Sequence, residues 1–105
     1  MLSHSELVAV QALQRAAAAN NDDGRIAAGF LLSWLEPSLY GGFNVANLAW
    51  APADMRQNVM LLMHAIASRS EKAPFFLSSP EFFHSVVKTH RPQVYRAIQL
   101  TKTKP

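Results

Sequence analysis

The sequence has no cysteine. That excludes disulfides, thiolate zinc sites and cysteine nucleophiles, and it leaves the redox compartment open. Charge is scarce: 16% of residues are charged, against 50% hydrophobic. A chain this apolar can bury enough surface to order itself, which excludes an intrinsically disordered class. Long apolar runs are missing too. Ile26 to Leu35, ten residues, is the longest, and a membrane span needs about 20. The start, Met1-Leu2-Ser3-His4-Ser5-Glu6, has no basic segment followed by an apolar one, so no signal peptide and a cytoplasmic location are expected. Alternation of apolar and polar residues never persists beyond four or five positions, so strands are not expected.

What is present reads as helix. Ser3 and Glu6 have capping-box spacing, which predicts a helix starting near Ser5, with Leu7, Val10, Leu13 and Ala17 on one stripe. The polar run Asn20 to Gly24 breaks it, and Asp22 or Asp23 is expected to cap a second helix. Ile26, Ala27, Phe30, Leu31 and Trp34, extended by Leu32 and Leu35, give that helix a face wide enough to be covered on more than one side. Pro37 ends it. Gly41-Gly42 suggests positive φ or close backbone approach, Asn44 can cap a turn over 45–48, and Phe43, Leu48 and Trp50 look like loop anchors. Pro52 suits the first position of a third helix, with Met55, Val59, Leu62, Met63 and Ile66 as its apolar stripe. After a linker, Ser79-Pro80-Glu81 is a strong helix start, followed by the apolar set Phe82, Phe83, Val86 and Val87. Pro92 ends that helix or opens a last one. The expected fold is all-α: four to five helices in a compact bundle, with an ordered Gly-Gly-Phe loop across it. A single domain over residues 1–100 and a flexible basic tail over 101–105 complete the reading.

Charge is unevenly placed. Residues 1–81 hold five basic residues and all seven acids, net −2, whereas residues 82–105 hold five basic residues and no acid. A basic end on a near-neutral body can bind phosphate, and it can equally be a solvated face that keeps the protein soluble.

Catalytic patterns are sparse. His64, His84 and His90 lack metal-ligand spacing, and Asp22 and Asp23 sit where acids cap helices, so no metal, cofactor or catalytic residue is assigned. There is no Gly-x-Ser-x-Gly elbow, phosphate loop or dinucleotide fingerprint. Glu36 and Asp54 are isolated in sequence; a cleft uniting them with a histidine would be needed for an undetected hydrolase or transferase. Surplus apolar side chains point instead to protein binding. Tyr40, Phe43, Trp50, Phe75 and Phe76 are the candidate contact residues if exposed, and simple loop anchors if the loops fold back over a small core. The alternative is a nucleic-acid-binding accessory protein using Lys88, Arg91, Arg96, Lys102 and Lys104. Homodimerisation is compatible with every reading.

The order of several motifs also resembles a known family. Phe30-Leu31-Leu32-Ser33-Trp34 is followed by Gly41-Gly42-Phe43-Asn44-Val45, Leu48-Ala49-Trp50, Arg69-Ser70 and His90-Arg91-Pro92. Together, over roughly residues 7–92, these resemble a bacterial domain family of unknown function. Leu35 stands where that family has a second tryptophan, Asn44 and Asn47 where it has acids, and His90 where it has tryptophan. The loss of the acids argues against a metal or catalytic role for the loop. The resemblance implies a small soluble protein of plasmids, integrated elements and phage-like regions. It supplies context and no mechanism. In that setting the expected function is a non-enzymatic interaction module, in one concrete form an anti-defence protein that blocks a host complex by binding it.

Overall fold

The computed structural model describes residues 1–103, with side chains through Thr101. Its elements are α1 (His4–Ala17), α2 (Asp22–Leu35), the single turn α3 (Pro37–Tyr40), a 3-10 helix (Val45–Trp50), α4 (Ala53–Arg69) and a second 3-10 helix (Phe75–Ser78). A helical segment follows, made of α5 (Pro80–Phe82), a π-helical stretch (Phe83–Val87) and α6 (Lys88–His90). The last helix, α7, spans Pro92–Thr103. The all-α architecture is as expected, and among the described residues no helix is long and apolar enough to cross a membrane. The chain's shortest extent is 20 Å, about two helix diameters, so the bundle is two layers deep.

Local signals set the helix ends. Ser3 Oγ accepts from Glu6 N at 3.2 Å, and Glu6 Oε1 accepts from Ser3 N at 2.8 Å, which is the expected capping box. The cap of α2 is one residue earlier than expected. Asn21 Oδ1 accepts from Gly24 N at 2.8 Å, while Asp22 and Asp23 lie in the first turn and complement the dipole there. Gly24 is required by the tight corner between α1 and α2. A Cβ there would stand 2.9 Å from the Ala16 carbonyl oxygen and closer still to that of Ala19. Pro52 occupies the cap position of α4 rather than its first helical position. Ser79 Oγ caps α5 by accepting from Phe82 N at 3.2 Å. Pro92 opens a helix, and that helix runs through Thr103, past the expected start of the tail; Lys104 and Pro105 lie outside the described residues.

α1 packs on both α2 and α4. Val10, Leu13 and Ala17 of α1, Ile26, Ala27, Leu31 and Leu32 of α2, and Val59 and Leu62 of α4 form the centre of the core. Each fully buried leucine or valine contributes on the order of 1.5–3 kcal/mol. Leu77, Phe82, Val86 and Val87 close the core from the C-terminal side. Met63 departs from the expected stripe: it is 36% exposed, because α4 has its main packing partner, α1, on one side only.

Candidate functional site

The Gly-Gly-Phe loop is built to bring one aromatic ring onto α2. Gly41 has φ +94°, a conformation that L side chains rarely adopt, and it turns the chain out of α3. Asn44 Oδ1 accepts from Ala46 N at 3.1 Å and starts the following 3-10 helix, as its sequence position implied. Between these points Phe43 meets Phe30 edge-on, with ring centroids 5.6 Å apart. Phe30 in turn tilts against Trp34 at 6.1 Å. Trp34 Nε1 donates to the Glu71 carbonyl at 3.0 Å, which fixes the indole.

Arg91 supports this loop from beneath. Its Nε donates to the Tyr40 carbonyl at 3.4 Å and its Nη1 to the His90 carbonyl at 2.9 Å. A Cβ on Gly29 would lie 3.5 Å from Arg91 Nη2 and 3.6 Å from Phe43 Cδ1, so both groups sit on bare helix backbone. His90 Nε2 lies 2.8 Å from the Ala17 carbonyl oxygen. A carbonyl can only accept, so this nitrogen carries the hydrogen and satisfies the end of α1.

The result is an apolar groove of about 450 Å³ between α2, the loop and α4. Phe30, Trp34, Phe43, Val45, Met63 and Ile66 form most of its walls. Val45 is 59% exposed and Met60, one turn before Met63 on α4, is 63% exposed. Met60, Met63 and Ala67 fall at i, i+3 and i+7, which is one helical stripe left open to solvent. No acid occurs in residues 26–35, 41–51 or 55–70, the segments that border the groove. Their cations are Arg56, whose Nη1 donates to the Ala51 carbonyl at 3.1 Å, and Arg69, paired with Glu6 at 2.6 Å.

Of the five aromatics singled out in the sequence, Phe43 alone lines this groove. Tyr40 lines a different cavity. Trp50 is 82% exposed and is therefore no loop anchor, while Phe75 is 89% exposed. Phe76 is half-buried against the core, edge-on to Phe75 at 6.5 Å. Val45, Met60 and Met63 carried no exposed-face signal, because apolar periodicity marks a helix face without showing how many neighbours cover it.

The basic segment is dispersed. Arg91 points inward as described. Lys88 Nζ lies 5.9 Å from the Tyr95 ring centroid, Arg96 is exposed, and the side chains of Lys102 and Lys104 lie outside the described residues. Nor are the acids brought together: Glu36 shares a cavity with His84, whereas Asp54 lines another. Among the described residues no three His, Asp or Glu side chains group as a metal site requires. Comparisons with known protein families, curated proteins and solved structures gave no match to this chain.

Proposed function

We propose that the protein is a non-enzymatic interaction module, whose groove between α2 and α4 receives an amphipathic helix of a partner protein. The observation that carries the reading is the open stripe Met60, Met63 and Ala67 beside Val45 and the Phe43 ring. Covering Val45, Met60 and Met63 would contribute on the order of 3–5 kcal/mol, enough to anchor a helix in a groove. The acid-free border and Arg56 favour a partner helix with acidic residues flanking its apolar stripe. In the mobile-element setting that the motif resemblance implies, such a module acts by occupying a surface that a host complex needs.

The test is a tagged pull-down from host lysate, nuclease-treated and washed at low and high salt, with wild type beside Met63→Glu. A protein partner that survives nuclease and high salt and is lost with Met63→Glu supports the reading. Recovery of nucleic acid alone, lost at high salt and unaffected by Met63→Glu, overturns it and moves the function to Lys88, Arg96 and the C-terminal segment.

A further inference from the structure

A second cavity, of about 410 Å³, lies on a different part of the molecule, between the α2–α3 corner and the C-terminal helices. Its volume is within the ordinary range of small-molecule sites. Leu77 and Phe82 form part of its wall and belong to the buried core, so that wall is fixed by the fold. Leu39 and Ile98 extend the apolar lining.

Two polar groups stand against this apolar wall. Among the residues lining the cavity, Glu36 alone carries a fixed charge, although the whole chain is net +3. Ser38 Oγ donates to Glu36 Oε1 at 2.7 Å, which holds the carboxylate in place and leaves Oε2 without a protein donor among the described residues. The Tyr40 hydroxyl has no hydrogen-bond partner among the described residues. Burial, and then the Glu36 carboxylate, push this phenol above its ordinary value, so it stays protonated at neutral pH and can both donate and accept. His84, also in the lining, is turned by Tyr95, whose hydroxyl lies 2.9 Å from Nδ1.

This chemistry selects among ligand classes. A carboxylate or phosphate would face Glu36 and find no fixed cation in the lining. A purely apolar ligand would leave the carboxylate to be desolvated without a partner. A protonated amine on an apolar body meets both requirements, its N–H groups reaching Glu36 and the Tyr40 oxygen while its body lies on Leu39, Leu77 and Phe82. We infer that this cavity is a binding site for a small primary amine with an aliphatic or aromatic body.

The experiment is an NMR titration of the full chain with phenethylamine, with phenylacetate as the control of similar shape and opposite charge. Saturable shifts for phenethylamine, clustered at residues 36–40 and 77–84 and absent with phenylacetate, are expected. Glu36→Gln should weaken that binding roughly three- to fivefold, since an ion pair this open to solvent is partly screened. Leu39→Trp, at the exposed rim, should abolish it. The amide spectrum of each variant establishes that the fold is kept. Equal binding of phenylacetate, no saturable shift with phenethylamine, or unchanged affinity in Glu36→Gln overturns the inference.

Discussion

Arg69 Nη2 stands 2.6 Å from Glu6 Oε1, tying the last turn of α4 to the first turn of α1 across 63 positions. The same oxygen accepts from Ser3 N at 2.8 Å, so the cap of one helix and the clasp between two share a single acceptor. The Arg69 hydrogen bond, and after it the Ser3 amide, hold the Glu6 carboxyl below its ordinary 4.5. A folded-state value below the unfolded one stabilises the protein above about pH 4.5, and this contribution is lost as pH falls through the lowered value. Urea melts of the wild type should therefore show an acid decline that is shallower in Arg69→Met. An equally steep decline in that variant would show that other carboxylates set it.

The cap of α2 separates Asn21 from its acidic neighbours. Asn21→Ala removes the acceptor for Gly24 N and should cost about 1 kcal/mol in chemical denaturation. Asp22→Ala and Asp23→Ala lose only dipole complementarity and should cost a few tenths of that scale each. A larger loss at Asp22 or Asp23 than at Asn21 would reverse the assignment.

Gly24→Ala tests the corner itself. The added methyl meets two backbone carbonyls, which cannot rotate away as a side chain could. Overpacking of this kind costs about 1–3 kcal/mol, read as a lowered Tm. An unchanged Tm would mean that the α1–α2 corner is looser than its backbone spacing implies.

Exposed and half-buried aromatics should part company in a stability assay. Trp50→Ala and Phe75→Ala should change stability by no more than about 0.5 kcal/mol, because little of either ring is covered. Phe43→Ala loses the edge contact with Phe30 and should cost about 2 kcal/mol. Similar costs at all three positions would contradict the placement of the loop.

Arg91→Lys should loosen the loop while leaving the helices intact. A lysine ammonium cannot repeat the forked donation to Tyr40 and His90. Faster hydrogen exchange confined to residues 40–45 is the expected readout, and unchanged exchange there would count against the support role.

The features legible in the sequence are those decided within one helical turn. The Ser3–Glu6 box, the Ser79 cap, the Asn44 turn and the φ of Gly41 each depend on residues a few positions apart. The cap of α2 was readable only to within one residue, since Asn21, Asp22 and Asp23 can all accept from a backbone amide. Features set by distant segments were not legible. Arg91 carries a full charge and reads as a surface residue until Gly29 is known to leave room for it. Met63 fits the apolar stripe of α4, and its exposure follows only from which helices pack there. Phe43 was identified as a contact residue without the groove that gives it a context, because Val45 and Met63 reach that groove from two other elements.

The π-helical stretch at Phe83–Val87 has an evolutionary consequence. Lys88 N donates to the Phe83 carbonyl five residues back, so this stretch holds one residue more than an α-helix of equal span. Each helical residue advances the azimuth by about 100°. Removing one position and regularising the turn would swing His90 and Arg91 together away from the Ala17 and Tyr40 carbonyls. Deletion of Ser85 should therefore preserve helix content by circular dichroism while lowering Tm. A homologue one residue shorter here could share every other amino acid and still present a different side of its last quarter to the body, a change of angle made without a change of composition.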